Sequence, residues 1–230
     1  AVFMAKQPSK SEIINDLDAM ISIFYRVAQT DFDELKQKIE STLYDRTIHR
    51  VAWNIRQIPQ FFSDLQIAWA FYVLSGVGFS GTLDSFGCYT KGKKAQTFMN
   101  KRLLWNEAMK HRFEGVQIEN TDAIDLIIRR DTKNTFFYLD PPYIDTAQSH
   151  YKGYSREHYK NLLDELVTLK GKFLLSSFPN DILDEYIKTN RWECISVNQS
   201  KSASRNRDGS KKRKIELLVA NYPIQKMQAE

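Results

Sequence analysis

The sequence predicts a mixed α/β protein: a mostly parallel sheet covered by helices, closed by an antiparallel C-terminal hairpin and interrupted by a helical insert. Three observations predict it. Short β-branched or aromatic runs alternate with helical spacing through residues 116–222, the pattern of strands joined by crossover helices. The last two runs, 192–197 and 215–222, are joined by a polar, basic loop without an apolar helix. That suits a hairpin, because a parallel crossover needs a helix. Upstream, residues 76–92 carry five glycines and no regular spacing, which marks a break between two parts of the chain.

Taken in order, residues 1–4 open without a turn or cap signal, as if inside an element. Residues 12–16 read as a short strand ending in an acid. Leu17, Met20, Ile21, Phe24 and Val27 recur at helical spacing over 17–27. Asp31 is an N-cap candidate for a second helix. Phe62, Leu65, Ala68, Trp69, Tyr72 and Val73 make 61–77 a long, mostly buried helix. After the glycine-rich break, 100–113 is helical again. Residues 116–118 form a strand candidate and 122–130 a helix. Residues 135–139, Thr-Phe-Phe-Tyr-Leu, read as a buried strand. A helix over 155–169 capped by Ser155, a strand over 172–176, a helix over 182–187 and the two hairpin strands follow. The division implied is 1–60 for the first part of the main domain, 61–112 for the insert and 113–230 for the remainder.

Composition narrows the function. With 230 residues, 42% hydrophobic and 27% charged, the chain buries a core without staples. An aromatic content of 13% excludes a disordered chain. The longest uncharged run, 65–83, contains Gln66, Ser75, Ser80, Thr82 and three glycines, so no membrane association is expected. Two cysteines, Cys88 and Cys194, exclude a disulfide framework and a Cys-based zinc site and fit reduced thiols in the cytoplasm. His49, His111, His150 and His158 lack metal-ligand spacing, so no metal is expected. Ser176 and Ser177 follow a strand outside any G-x-S-x-G elbow, which argues against a hydrolase.

The net charge of +5 is unevenly placed. Residues 85–112 carry seven Lys or Arg against Glu107, and residues 200–214 carry seven against Asp208. Two such runs on an otherwise slightly acidic chain point to a polyanion. The candidate contacts are Lys91, Lys93 and Lys94 in the first run and Lys201, Arg205, Arg207, Lys211 and Lys212 in the second.

The motif that carries chemistry is Asp140-Pro141-Pro142-Tyr143, directly after the strand 135–139. In open α/β sheets ligands bind beyond the carboxyl ends of strands. Two prolines stiffen the loop and remove two donors, so the carbonyls of Asp140 and Pro141 are free to accept. A carboxylate beside a rigid carbonyl offers two acceptors to one NH2 group, and the Tyr143 ring offers a face for a flat base. The chemistry suits an exocyclic amine on a nucleobase.

With these residues, the chain resembles the S-adenosylmethionine-dependent N6-adenine DNA methyltransferases, of Dam type, whose signature is Asp-Pro-Pro-Tyr. Ile14-Asn15-Asp16 resembles the end of the family's second strand, where an acid binds the cofactor ribose. Asn120-Thr121-Asp122-Ala123 resembles the segment flanking the cofactor adenine. Gly78-Phe79-Ser80-Gly81 is similar to a Gly-Phe-Asn-Gly segment at the edge of the target-recognition region, with Ser80 in place of Asn. Residues 212–222 resemble the last strand. The family's glycine-rich Phe-x-Gly-x-Gly motif precedes a segment like Ala1-Val2-Phe3-Met4, so the sequence given starts just past it.

The resemblance implies a Rossmann-like methyltransferase sheet with an inserted recognition subdomain. It implies methyl transfer from S-adenosylmethionine to N6 of a flipped-out adenine in double-stranded DNA. Asp140, Pro141, Pro142 and Tyr143 would be catalytic, and Asp16, Asp122 and Asp140 would hold the cofactor. Two alternatives stand beside it: methylation of another planar amine, in RNA or a protein glutamine, and a DNA-binding fragment without activity. Separate assays on DNA, RNA and protein distinguish the first, and cofactor titration the second.

Overall fold

The computed structural model describes residue 3 and residues 6–78, 83, 85–87, 94–144, 153–205 and 211–224, without the side chains of 94, 198–205 and 211–214. The chain divides into two compact units, Ala1–Asp122 and Ala123–Glu230.

The first unit is mostly helical. Helices α1 (Ala19–Thr30), α2 (Phe32–Glu40), α3 (Arg46–Gln57), α4 (Asp64–Val77), α5 (Lys94–Arg102) and α6 (Glu107–Glu114) accompany strands β1 (Glu12–Asn15) and β2 (Val116–Glu119). The strands pair in parallel, from Glu12↔Val116 to Asn15↔Glu119. Local signals set the helix starts. Asp18 caps α1 by accepting from Met20 N, Asp45 caps α3 by accepting from Thr47 N and Ile48 N, and Ser63 forms a capping box with Gln66 on α4. Helix α4 buries Ile67, Ala68, Ala70, Tyr72, Val73, Leu74 and Val77, and Val27, Phe32, Leu35, Ile39, Ala52, Phe98 and Trp105 pack in the same core. Residues from 1–60 and from 61–112 therefore share one hydrophobic cluster.

Three boundaries differ from the sequence reading. Helix α1 opens at Asp18, not before Leu17, because the Asp18 carboxylate takes the Met20 amide; Leu17 is left 72% exposed. Helix α3 has no counterpart in the sequence reading, although Ile48, Ala52 and Ile55 recur at helical spacing along its core-facing side. The helix expected over 100–113 is two, because Asn106 accepts from Met109 N at 3.1 Å and starts α6 afresh.

In the second unit, helices α7 (Ala123–Arg130), α8 (Arg156–Thr168) and α9 (Asp181–Asn190) accompany β3 (Phe136–Leu139), β4 (Lys172–Ser177), β5 (Glu193–Arg205) and β6 (Lys211–Ala220). The sheet order is β3-β4-β6-β5. Strands β3 and β4 are parallel; β4 with β6 and β6 with β5 are antiparallel. The described strands thus form a two-stranded parallel sheet and a four-stranded mixed one, in place of the single mostly parallel sheet expected. The C-terminal hairpin is antiparallel, as its missing crossover helix required. Tyr159, Leu163, Leu166, Phe173, Leu175, Leu183 and Val219 form the core.

Two expectations about strands are corrected. Among the described strands β3 is the outer one of its sheet, with Phe136 51% and Tyr138 42% exposed, and Phe137 and Leu139 pack against the core. The basic connection between β5 and β6 is largely strand rather than loop. Pairing of β6 with β4 runs only from Leu217 to Ala220, whereas pairing with β5 continues to Ser200↔Arg213 and, past a register shift, Arg205↔Lys211.

The junction of β3 and β4 is tight. A Cβ on Gly171 would lie 2.7 Å from the Thr135 carbonyl oxygen and 2.8 Å from that of Thr132. Gly171 N donates to Asp131 Oδ1 at 2.8 Å, and Lys172 N to the Thr135 carbonyl at 2.9 Å. These contacts set the start of β3 and hence the position of the loop at its other end. Among the described residues, no helix is long and apolar enough to cross a membrane.

Candidate active site

The carboxyl end of β3 delivers Asp140, Pro141, Pro142 and Tyr143 in one irregular stretch without a cis peptide bond. The Tyr143 hydroxyl is the hub. It lies 3.0 Å from Asp140 Oδ1, 2.9 Å from Ser176 Oγ on β4 and 3.1 Å from Glu216 Oε1 on β6. Ser176 donates its own proton to Glu216 Oε1. The Tyr143 ring packs against Phe178, with centroids 4.1 Å apart and planes tilted by 57°. Three strands of one sheet thus meet at one phenol oxygen.

The electrostatics follow from this crowding. Asp140 lies at the exposed edge of the site, yet its carboxyl end turns into the cluster. Loss of water there raises its pKa most, the Glu216 charge raises it further, and the hydrogen bond from Tyr143 opposes both. Burial pushes the Tyr143 phenol well above its ordinary value; the Ser176 hydrogen bond opposes the rise, and the Asp140 and Glu216 charges add to it. Tyr138 is raised by burial, then by the same two carboxylates.

The second group of expected site residues lies in the first unit. Asp16 follows β1, and its Oδ1 accepts from Asp18 N at 2.8 Å. Asp18, not Asp16, caps α1. Burial raises the Asp16 pKa, the Asp18 amide opposes this and the Asp18 charge adds to it. Two asparagines lash this strand end to the end of β2. Asn15 Nδ2 donates to the Thr121 carbonyl at 3.0 Å and Thr121 N donates back to Asn15 Oδ1 at 3.1 Å. Asn120 Nδ2 donates to the carbonyls of Asp16 at 2.7 Å and Leu17 at 3.1 Å. Asp122 is exposed just before α7, on the segment so tethered to Asp16. A half-buried carboxylate in a rigid loop beyond a parallel strand has the acceptor chemistry that a ribose diol needs.

A family model for D12 class N6 adenine-specific DNA methyltransferases matches residues 1–199. The chain belongs to that family. No individual curated protein matched it. As a D12 class enzyme it is an adenine-specific DNA methyltransferase, and the matched stretch contains Asp16, Asp122 and the whole of the Asp-Pro-Pro-Tyr loop.

The basic runs of this D12 enzyme divide into two kinds. Several cations of the first run serve the fold. Arg112 donates to Glu12 Oε2 at 2.6 Å and Oε1 at 3.2 Å, and Lys110 to Asp33 at 2.7 Å. Arg102 donates to the carbonyls of Glu40 and Thr42 behind α2. His111 pairs with Glu114 at 3.1 Å. Lys94 opens α5, while Lys91, Lys93 and Arg207 lie outside the described residues. Lys201, Arg205, Lys211 and Lys212 stand on the β5–β6 ribbon.

Sequence reasoning missed Ser176, Phe178 and Glu216 as site residues. Glu216 had a signal, a lone acid within Ile-Glu-Leu-Leu-Val-Ala; Ser176 had been weighed only as a nucleophile. Tyr154 stacks on His158 at 6.0 Å and joins the core of its unit; Tyr151 lies outside the described residues. Among the described residues, no three His, Cys, Asp or Glu side chains gather as a metal site would need.

Proposed function

We propose that the enzyme transfers the methyl group of S-adenosylmethionine to N6 of an adenine rotated out of double-stranded DNA. The observation that carries this reading is the placement of Asp140. It stands at the carboxyl end of a strand, in a loop stiffened by Pro141 and Pro142, with Oδ1 engaged by the Tyr143 hydroxyl. Its second oxygen and the Pro141 carbonyl are the acceptors for the two protons of the target amine. Holding those protons turns the nitrogen lone pair out of conjugation with the ring and aims it at the methyl group. The Tyr143 ring, half-exposed, offers a face to the base. A base inside a duplex cannot reach such a loop, so it must leave the stack.

S-adenosylmethionine supplies an activated methyl when bound. Asp16 would hold its ribose hydroxyls, Asp122 would flank its adenine, and Asn15 and Asn120 would keep the two loops in place. The chain contributes positioning and electrostatics. The duplex is held by the β5–β6 ribbon, since a two-stranded ribbon fits the major groove and Lys201, Arg205, Lys211 and Lys212 supply phosphate contacts. Residues 61–112 serve as the recognition insert.

The test is methyl transfer to duplex DNA, with N6-methyladenine detected in the digested product. Asp140→Ala removes one of two amine acceptors and is expected to cost about 2–4 kcal/mol of transition-state stabilisation, on the order of 30- to 1000-fold in rate. Near-normal turnover by a folded Asp140→Ala protein, or methyl appearing only in RNA or protein, overturns the proposal.

A further inference from the structure

We infer that Glu216, acting through Ser176 and the Tyr143 hydroxyl, is a positioning residue that orients Asp140 and tunes it electrostatically. This rests on the reading of Asp140 as the acceptor for the target amine.

The argument begins with an inventory of protons. Among the described side chains, the cluster holds two hydroxyl protons, those of Tyr143 and Ser176, and two carboxylates. The Ser176 proton goes to Glu216 Oε1. The single Tyr143 proton then faces two carboxylate acceptors at nearly equal distance, Asp140 Oδ1 at 3.0 Å and Glu216 Oε1 at 3.1 Å. Two oxygens that both touch one phenol oxygen are no more than about 6 Å apart. Glu216 therefore does two things to Asp140. It competes for the proton that locks Oδ1, and it places a like charge where a carboxylate feels it most. With Ser176 satisfying Glu216, the Tyr143 proton is released to Asp140, and Oδ2 is left to face the substrate.

The sheet makes this arrangement rigid. Glu216 lies opposite Val197 on β5, and its strand neighbour Leu218 lies opposite Ser176 on β4. Period-two alternation then puts Glu216, Leu218 and Ser176 on one face. Residues 215 and 217–220 of β6 are all apolar, so an acid at 216 is the exception on that strand. Among the described side chains, Tyr143 from the loop donates to Asp140 and Ser176 from β4 donates to Glu216, while Tyr138 on β3 feels both carboxylate charges. Asp140 accepts amine protons only when ionised, so activity falls as the pH drops through its pKa. A neighbouring negative charge moves that acid limb up, and a hydrogen bond from Tyr143 moves it down.

The two influences have opposite signs, which gives the test. Asp140 is followed by carbon-13 in labelled aspartate carboxyls, its resonance being identified by its loss in Asp140→Asn. Glu216→Gln keeps size and an acceptor but removes the charge; the Asp140 midpoint is expected to fall by about one pH unit. Tyr143→Phe keeps the ring but removes the donor; the midpoint is expected to rise. The acid limb of methyl transfer by Glu216→Gln should move down with the titration. An Asp140 midpoint unchanged in Glu216→Gln, or moving the same way in both variants, overturns the inference. Absence of methyl transfer by the unaltered protein, with the two midpoints still moving apart, overturns the reading of the site and leaves the coupling standing.

Discussion

Arg112 offers a sharp separation of a structural cation from a DNA-binding one. It sits in the first basic run, yet its side chain is 11% exposed and that of Glu12 is 6% exposed. Arg112 also donates to the Phe3 carbonyl at 3.0 Å and lies 4.2 Å from the centroid of the Phe3 ring. Burial alone would raise the Glu12 carboxyl, but hydrogen bonds from Lys6, Arg112 and Ser9 N outweigh it and hold the pKa at about 2. Moving from the ordinary 4.5 to about 2 corresponds to roughly 3 kcal/mol of stability shared among those donors. Breaking a buried pair costs about 3–5 kcal/mol, and Lys6 still faces Glu12 when Arg112 is gone. Arg112→Met is therefore expected to destabilise the protein by about 2–3 kcal/mol in urea unfolding at pH 7. The sign with pH follows from the depressed carboxyl. Its contribution is complete above the unfolded value of 4.5 and is lost as the pH falls through about 2. The gap between the two proteins should start to narrow near the unfolded midpoint of 4.5 and close progressively as the pH falls to about 2. DNA affinity and its salt slope should not change. A destabilisation below about 0.5 kcal/mol, the size of an ordinary surface substitution, would refute the structural role; so would a salt slope reduced by about one, the mark of a lost phosphate contact.

Three further outcomes are expected. Asp16→Ala should weaken S-adenosylmethionine binding, measured by calorimetry, without shortening α1, because Asp18 is the cap; unchanged affinity removes Asp16 from the cofactor site. Replacing Lys211 and Lys212 with Gln should reduce the slope of log affinity against log salt for duplex DNA by about two; an unchanged slope takes the ribbon off the DNA. Gly171→Ala drives a Cβ against two backbone carbonyls that cannot swing aside and should cost about 1–3 kcal/mol while slowing methyl transfer through a displaced β3; a fully stable, fully active variant would show the junction yields.

What the sequence disclosed and what it hid separate by range. Asp140-Pro141-Pro142-Tyr143 was legible because its logic is local: a strand, then an acid and two prolines that need no other segment to become stiff. The hairpin was legible because an absent crossover helix restricts topology. The partners of Tyr143 were not, because Ser176 and Glu216 are 40 residues apart and meet only through the register of β4 with β6. Helix α3 was legible in principle, since Ile48, Ala52 and Ile55 recur at helical spacing, but it was not assigned from the sequence. The buried reading of β3 failed because an apolar run reports what could be covered on both faces, not what covers it. A charge sum misleads for a related reason. A sum over residues 85–112 counts Lys110 and Arg112 as available to a polyanion, but Asp33 and Glu12 already hold them. The ribbon differs in kind: among the described strands, β6 beyond Leu217 is paired with β5 and no longer with β4. The proposal that the second run meets the duplex therefore stands or falls with the salt slope of the Lys211 and Lys212 replacement.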